Sequence, residues 1–320
     1  MARKRKGTPI HGWLAIDKPL GLSSAQVVGK VRWLLKAAKV GHGGTLDPLA
    51  TGVLPIALGE ATKTVSHVMD GTKTYRFQLR WGQATTTLDR EGDVVGTSPA
   101  RPARAAIEAA LPAFIGEIEQ IPPAYSAIKV DGERAYDLAR AGETVDLPPR
   151  PVRIDSLTLL DMPDADHADF EVVCGKGTYI RSLARDLAAA LGTLGHVSVL
   201  RRTACGPFHE ADAISLETLA ELGQGPGPRT YLLPVETALD DIPALALTAA
   251  EARRLHCGNP VPLRHVTTRD PEAALGEGTL CRAMDGGRMV ALARIESGEI
   301  RAVRVLNLMN DEGVDDVDHP

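Results

Sequence analysis

The sequence predicts an α+β fold, in which a mixed, largely antiparallel sheet with flanking helices is followed by a small β-rich C-terminal domain. Three observations support this prediction. Helical and strand periodicities alternate along the chain, many successive strands are too close for parallel crossovers, and a glycine- and proline-rich segment precedes a last group of short strands. With 320 residues, 44% of them hydrophobic, the chain can bury one large core and one small one.

Two helices are expected in the larger part of the chain. The first begins at Ser23-Ser24, because a serine hydroxyl suits the N-cap position. Its apolar face has three- and four-residue spacing and comprises Val27, Val28, Val31, Leu34 and Leu35. The second covers 178–191, and its buried stripe comprises Ile180, Leu183, Ala184, Leu187 and Leu191.

The segment 74–81 has the clearest strand pattern. Its alternation places four large side chains on one side of a strand, namely Tyr75, Phe77, Leu79 and Trp81. Further strands are expected near 13–17, 53–58, 115–119, 126–130, 152–160, 169–174 and 196–202. Together they predict a sheet that runs through most of the chain.

Domain boundaries follow the local composition. A basic extension occupies residues 1–9, the main domain 10–240, a small domain 245–309 and an acidic, disordered tail 310–320. The segment Gly223–Pro228 has the most glycine and proline and predicts a linker. After it, we expect a short helix at 249–255 and strands near 280–284, 288–295 and 300–306.

The formal net charge of −5 hides an uneven distribution. Residues 1–50 contain nine Lys and Arg against two Asp, which gives +7 and leaves −12 for the remainder. A positive first segment on an otherwise acidic protein favours a local binding site for a polyanion. The alternative is a solvated basic surface with no ligand.

Cysteine and histidine usage argues against a metal site and against export. The four cysteines contain no C-x-x-C pair, and the nine histidines contain no H-E-x-x-H motif. The chain also lacks a hydrophobic stretch of the roughly 20 residues that span a membrane. We therefore expect a cytoplasmic protein with no metal, no cofactor and no membrane association.

The most unusual local sequence is the loop Gly41–Gly52, which contains four glycines, His42, Asp47 and Pro48. Glycine lets the backbone approach a ligand closely, and the Asp-Pro pair keeps Asp47 out of a helix. The loop matches neither a dinucleotide fingerprint nor a P-loop. It therefore predicts a carboxylate presented from a rigid loop, with simple turn capping by Asp47 as the alternative.

A second candidate site lies at the predicted strand-to-helix junction Gly175–Leu183. Arg181 and Arg185 are four residues apart, on a face away from the leucine stripe. One of them could pair with a carboxylate such as Asp47 and stabilise its charge. The alternative is that both arginines are exposed to solvent.

In this order, these segments resemble the TruB family of bacterial tRNA pseudouridine synthases. The resemblance rests on Asp17–Ser24, Gly41–Lys63, Lys73–Arg76, Gly177–Arg181 and Leu200–Arg202, and covers most of the first 235 residues or so. Gly43 stands where family members often have threonine. By position and strand pattern, the end of the chain resembles the family's PUA-like RNA-binding domain. The resemblance thus implies a pseudouridine-synthase-like fold for the catalytic domain 10–240.

The resemblance also implies an activity, the isomerisation of uridine-55 to pseudouridine in the T-loop of tRNA, without a cofactor. It makes Asp47 the nucleophile and Arg181 its partner. Tyr75 stacks on the flipped base and assists proton removal through its hydroxyl. The remaining implied RNA-contacting or supporting residues are His42, Tyr179, Leu200, Lys18 and Lys176.

Two other classes of function stay open at this stage. A tRNA-binding protein or RNA chaperone on the same scaffold would keep the site residues without turnover. A nucleotide hydrolase would release a small product and require a divalent ion. We expect an enzyme that binds the T-arm stem-loop of tRNA as a monomer.

Overall fold

The structure, a computed structural model, describes residues 7–126, 128–130, 133–134, 146–223, 230–271 and 275–308. Most of the basic extension, most of the predicted linker and the acidic tail 310–320 therefore lie outside the described residues. The first thirteen strands are β1 Gly12–Lys18, β2 Val40–His42, β3 Thr51–Leu58, β4 Lys73–Trp81, β5 Gln83–Thr85, β6 Val94–Thr97, β7 Gly116–Gln120, β8 Lys129–Val130, β9 Glu133–Arg134, β10 Arg150–Asp164, β11 His167–Cys174, β12 Gly195–Cys205 and β13 Phe208–His209.

Nine of these strands form the main sheet in the described part of the chain, in the order β1-β3-β12-β4-β11-β10-β7, with β2 beside β3 and β13 beside β12. The pairs along this path are antiparallel except for the short parallel pair between β3 and β12. This arrangement confirms the predicted mixed, largely antiparallel sheet. It also places β3, β12 and β4 side by side, and these strands carry Tyr75, Leu200 and Arg202.

The helices are α1 Ser24–Leu35, α2 Val65–Asp70, α3 Arg104–Ala110, α4 Ile180–Ala190, α5 Leu216–Glu221, α6 Ala249–His256 and α7 Leu263–Arg269. Of the two serines at the start of α1, Ser23 is the N-cap and accepts a hydrogen bond from the Gln26 amide. Both predicted helices of the main domain are present, and α4 is a little shorter than expected. Single-turn 3₁₀ segments occupy 59–63, 111–114, 210–212 and 235–239.

Strand β4 shows the predicted alternation, since Phe77, Leu79 and Trp81 are buried on one side of the sheet. Phe77 stacks on Phe170 of β11, with ring centroids 5.2 Å apart. The stripe of α4 covers this core through Leu183 and Leu187. The strand expected near 126–130 is present only as the two residues of β8.

The last part of the chain forms a second sheet, from β14 Ala244–Ala246, β15 Val261–Pro262, β16 Leu280–Asp285, β17 Arg288–Glu296 and β18 Glu299–Val305. Within the described residues its order is β14-β16-β17-β18-β15. The expected small β-rich domain is thus observed, with α6 packed on it.

The small domain packs directly against the back of the main sheet. Met289, Leu292 and Leu306 share one buried cluster with Trp13 and Val53 of β1 and β3. Polar contacts reinforce the junction, because Lys63 Nζ donates to the Val305 carbonyl at 2.9 Å and the Asn307 amide to Glu60 at 2.8 Å. The junction therefore has a continuous apolar core.

Several short elements were not expected from the sequence, namely β2, α2, α3, α5 and the β5–β6 hairpin. Each is seven residues or fewer, which is too short for a clear periodicity. Among the described helices, none is long and apolar enough to cross a membrane.

Candidate active site

A pocket of about 300 Å³ opens where the loop after β2 faces the start of α4. The loop contributes Gly44, Thr45, Leu46, Asp47 and Ala50 to its wall. The other lining residues come from α2, the sheet, the segment after β7, the junction before α4 and the first turn of α4: Met69, Lys73, Tyr75, Ser126, Gly175, Gly177, Thr178, Tyr179, Ile180, Arg181, Leu200 and Arg202. Five of the predicted site residues, Asp47, Tyr75, Tyr179, Arg181 and Leu200, therefore share one pocket.

Asp47 lies on a loop whose backbone is fixed by hydrogen bonds to buried side chains of the main domain. Buried Ser24, the first residue of α1, accepts a hydrogen bond from the Leu46 amide at 2.8 Å and donates to the Leu46 carbonyl at 3.1 Å. Lys18 is fully buried, and its ammonium donates to the carbonyls of Leu22 at 2.6 Å and Pro48 at 3.3 Å. The residues on both sides of Asp47 are thus fixed to the body of the domain.

Lys18 has its ammonium beneath the loop rather than in the pocket wall. Burial lowers its pKa to about 8, and the charge of Asp47 offsets part of that effect. The resemblance left open whether this lysine contacts RNA or supports the site. The observed contacts are those of a supporting residue.

Arg181 is the buried partner of Asp47. Its Nη2 lies 3.0 Å from Asp47 Oδ2, and its side chain is 5% exposed against 39% for Asp47. The guanidinium also donates to the carbonyls of Thr87 and Tyr125, each at 2.8 Å. The alternative in which Arg181 faces solvent is therefore wrong. Arg185 instead pairs with the neighbouring Asp186 at 2.7 Å.

Asp89 is a second carboxylate beside Arg181, and the sequence gave no reason to expect it there. Its Oδ2 lies 3.8 Å from Arg181 Nε, and both side chains are almost fully buried. The loop around Asp89 is ordered by hydrogen bonds from the Thr87 hydroxyl and the Glu91 amide. Arg181 therefore lies close to a second carboxylate in addition to that of Asp47.

Arg202 connects the loop that carries Asp47 with the sheet. It is 1% exposed and donates to the carbonyls of Val53 at 2.8 Å and Gly44 at 3.1 Å. Its backbone lies so close to Gly52 that a Cβ there would be 2.2 Å from the Arg202 carbonyl oxygen. The glycine at position 52 is thus required by the close approach of two strands.

His42 lies at the end of β2, just before the loop, and is half-buried. Its Nδ1 accepts a hydrogen bond from the Gly44 amide at 3.4 Å. Burial, and then the charge of Arg202, lower the pKa of His42 below its ordinary value. The imidazole is therefore neutral at pH 7 and shapes the start of the loop. His42 itself is not part of the pocket wall.

Tyr75 and Leu200 come from the adjacent strands β4 and β12 and form an apolar part of the pocket. Leu200 is 6% exposed. Burial raises the pKa of Tyr75 to about 12, although Arg202 beside its hydroxyl offsets part of the effect. The phenol is therefore neutral at physiological pH. The two residues provide a flat ring and an aliphatic side chain suited to a planar ligand.

Tyr179 is fixed at the start of α4 by its backbone. Buried Gln120 of β7 accepts from the Tyr179 amide at 2.8 Å and donates to its carbonyl at 3.2 Å. The Arg150 guanidinium lies 5.1 Å from the centre of its ring, a cation–π contact. Neither Gln120 nor Arg150 was expected from the sequence.

Lys176 lies in the turn before α4 and is exposed. Its Nζ is 3.0 Å from Asp70 Oδ1 at the end of α2. The residues beside this pair, Met69, Gly175 and Gly177, line the pocket. Lys176 is therefore at the rim, where an exposed ion pair of this kind contributes little to stability.

Gly43 is buried, and its amide donates to the Pro55 carbonyl at 2.8 Å. A Cβ at this position would lie 2.8 Å from Cγ1 of Val68 on α2. The φ angle at Gly43 is outside the left-handed region that favours glycine. The space beside Val68, rather than the backbone conformation, therefore accounts for the glycine.

The sheet and the pocket define a class of protein, one with a large mixed sheet whose pocket contains a carboxylate paired with a buried arginine beside an aromatic ring. The fold is similar to that of solved Cbf5 complexes. It superposes on the "Crystal Structure of a Cbf5-Nop10-Gar1 Complex" with a TM-score of 0.71 at 26% identity, covering 95% of this chain and 90% of that one. A solved structure of an H/ACA RNP bound to a substrate RNA containing 2'-deoxyuridine gives a TM-score of 0.72 at 23% identity, with coverages of 96% and 91%.

Sequence comparison gives the family. The model of the TruB family pseudouridylate synthase N-terminal domain matches residues 32–180, and that of the tRNA pseudouridylate synthase B C-terminal domain matches 181–240. The chain is 58% identical over 308 residues to the tRNA pseudouridine synthase B of Rhodospirillum rubrum, covering 96% of this chain and all of the relative. The corresponding Caulobacter vibrioides protein is 57% identical over 310 residues, with coverages of 96% and 100%. This chain belongs to the TruB family of pseudouridylate synthases, which confirms the predicted family and class of enzyme.

Proposed function

We propose that this protein isomerises uridine-55 to pseudouridine in the T-loop of tRNA, with Asp47 as the nucleophile. Family membership and the tRNA pseudouridine synthases among its relatives support pseudouridylation of tRNA. The observation that carries the finer proposal is the Asp47–Arg181 pair, 3.0 Å apart, in a pocket that also contains Tyr75 and Leu200.

The reaction rearranges bonds without changing the composition of the RNA. The N1–C1′ bond of uridine breaks, a C5–C1′ bond forms, C5 loses its proton and N1 gains one. Because nothing is oxidised or transferred to a second molecule, the chemistry needs a nucleophile and a site for proton transfer. Asp47 supplies the nucleophile, through either covalent attack or an elimination route.

Arg181 pairs with the Asp47 carboxylate and fixes its orientation at the pocket. Three protein oxygens besides that of Asp47 surround its guanidinium, namely the Thr87 and Tyr125 carbonyls and Asp89 Oδ2. Because this network is complete without RNA, the carboxylate does not have to be reorganised when substrate binds.

A base stacked in the T-loop cannot reach a carboxylate that lines a pocket, so the proposal includes base flipping. The flipped uracil would stack on Tyr75 and pack against Leu200, while Tyr179 lines the site beside Arg181. The neutral Tyr75 phenol would act in the proton transfer from C5. His42, at the start of the loop, and Lys176, at the rim of the pocket, would face the surrounding RNA.

RNA outside the pocket would meet the basic first segment and the C-terminal domain. Lys30 on α1 and Lys36, the residue that follows this helix, are both exposed. Lys63, in contrast, pairs with Glu60 at 2.6 Å and contacts Val305, so it belongs to the domain junction rather than to a free basic surface. We propose that the small domain is a PUA-like tRNA-binding domain, and that the protein acts as a cytoplasmic monomer.

The test is site-mapped pseudouridine, detected by carbodiimide labelling, on tRNA incubated with the protein and with Asp47→Asn. Asp186→Asn is the matched control, because this carboxylate pairs with Arg185 on the outer side of α4. We expect product at position 55 with the wild type and the control, and none with Asp47→Asn, while tRNA binding persists.

Other outcomes would separate the alternatives. Normal turnover by Asp47→Asn would remove the nucleophile assignment. Binding without product in the wild type would favour the tRNA-binding or RNA-chaperone class. Product at another uridine would retain the chemistry and overturn the proposed site.

A further inference from the structure

The Ser126 hydroxyl is buried in the pocket wall without a partner. Ser126 is 4% exposed, and its Oγ is one of four buried side-chain polar atoms in the described part of the chain that lack a hydrogen bond. The other three belong to Trp13, Trp81 and Arg150, and none of those residues lines the pocket. Ser126 is thus an unpaired donor and acceptor at the place where a ligand would bind.

Its position is tied to the catalytic pair. The carbonyl of the preceding residue, Tyr125, accepts a hydrogen bond at 2.8 Å from the same Arg181 nitrogen that lies 3.0 Å from Asp47. The Ser126 amide donates to the Ala124 carbonyl at 3.0 Å. The backbone at Ser126 therefore has a defined location relative to the Asp47 carboxylate.

The two basic side chains of the pocket wall besides Arg181 are already engaged by protein carbonyls. Arg202 donates to Val53 and Gly44, and Lys73 donates to Val68, Met69 and Gly71. Leaving a buried hydroxyl without a partner is unfavourable, because the group has lost its hydrogen bonds to water. Such a group is retained where a bound molecule supplies the missing partner.

We propose that the Ser126 hydroxyl donates a hydrogen bond to one carbonyl oxygen of the flipped uracil before the base turns, and to the other carbonyl oxygen after it has turned. This inference rests on the proposed function. Exchanging N1 for C5 requires the detached uracil to turn about its C6–N3 axis. The same rotation exchanges O2 with O4, so a carbonyl oxygen occupies the same place before and after it. A single fixed hydroxyl can thus hold both substrate and product orientations.

The test measures kcat/KM for the wild type and Ser126→Ala on three T-arm stem-loops, which carry uridine, 2-thiouridine or 4-thiouridine at the target position. On uridine we expect Ser126→Ala to lose about tenfold, the effect of one neutral hydrogen bond. Because sulfur is a weak acceptor, the loss should shrink with at least one of the thio analogues. An equal loss on all three substrates would overturn the proposal, and so would no loss on uridine.

Thermal unfolding of the free protein supplies a second readout. Because the hydroxyl has no protein partner, Ser126→Ala should melt at the wild-type temperature or above it; a lower melting temperature would contradict the proposal. The matched control is Ser182→Ala, whose buried hydroxyl donates to the Ile121 carbonyl at 2.8 Å. This control should melt lower, and any loss of turnover should be the same on all three substrates.

Ser126→Cys provides an independent variant of similar size with a weaker donor. Its kcat/KM on uridine should fall between those of the wild type and Ser126→Ala, and a wild-type value would count against the proposal. The reaction with wild-type protein distinguishes a failure of the proposed function from a failure of the Ser126 proposal. Absence of pseudouridine there contradicts the proposed function, whereas wild-type product with an unaffected Ser126→Ala contradicts the role of Ser126 alone.

Discussion

Ser24 Oγ bonds both backbone groups of Leu46, accepting from its amide at 2.8 Å and donating to its carbonyl at 3.1 Å. The neighbouring Ser23 has a different task, because its hydroxyl caps α1. Of these two adjacent serines, Ser23 therefore caps the helix and Ser24 holds the loop that carries Asp47. Ser24 does so by positioning Leu46, the residue directly before Asp47.

The anchoring role of Ser24 can be tested by Ser24→Ala, with Ser23→Ala as the matched control. Ser24→Ala leaves two buried backbone groups unpaired and should destabilise the protein by about 1–3 kcal/mol. It should also lower kcat, because the loop that carries Asp47 loses its anchor. Ser23→Ala should cost about 1 kcal/mol as a lost cap, with kcat close to wild type. Urea unfolding and single-turnover kinetics measure both effects, and equal kcat values for the two variants would contradict the anchoring role.

Two substitutions of Tyr75 distinguish its proposed role in stacking from its proposed role in proton transfer. Its pKa of about 12 keeps the phenol protonated at neutral pH. Tyr75→Phe keeps the ring, so RNA binding should stay near wild type while kcat falls by about 10²–10⁴-fold. Tyr75→Leu should weaken binding as well, because the stacking surface is lost. Filter binding and single-turnover rates distinguish the two, and full activity of Tyr75→Phe would exclude the hydroxyl from the reaction.

His42 predicts a pH dependence of stability. Burial and Arg202 lower its pKa in the folded protein, so the unfolded chain takes up a proton at higher pH than the folded one. The contribution of neutral His42 to the free energy of unfolding is therefore fully present above a pH of about 6.5, the pKa of the unfolded chain. It decreases as the pH falls from there toward the lower pKa of the folded protein. Urea unfolding from about pH 7.5 to 5.5, compared with His42→Gln, should show the wild type losing its advantage on acidification. A pH-independent difference would contradict a lowered pKa.

The domain junction predicts the outcome of truncation. The small domain covers Trp13 and Val53 on the main sheet through Met289 and Leu292. Removing residues 245–320 exposes this apolar surface, so the remaining domain should melt lower and aggregate more readily. Chemistry on a minimal stem-loop should then fall together with tRNA binding. A truncated protein with the wild-type melting temperature would show that the main domain does not depend on the junction.

Much of the fold and site was predictable from the sequence where residues have a local signature. The alternation around Tyr75, the stripe of α4 and the Asp-Pro loop each define an element within a few residues. Arg181 was harder, because spacing identifies the face of a helix but does not show what covers it. The covering groups, Thr87 and Tyr125, come from distant parts of the chain.

Residues that support the site through long-range contacts gave no sequence signal. Asp89 and Gln120 lie in segments without a motif, and their roles depend on a buried arginine and on a backbone amide contacted across the fold. Lys18 is a charged residue in a strand, for which sequence favours an exposed position. Its burial becomes understandable only once the carbonyls of Leu22 and Pro48 converge on it.

The contact between Gly43 and Val68 links the identity of the catalytic loop to that of a short helix. A methyl group added at position 43 would lie 2.8 Å from Val68 Cγ1, so the two positions share one fixed volume. A threonine at position 43, which the family resemblance gives as common there, would place its Cβ against Val68 and would require this neighbour to shift or to be smaller. We therefore expect a loop with threonine at position 43 to be tolerated better in this protein when residue 68 is exchanged with it.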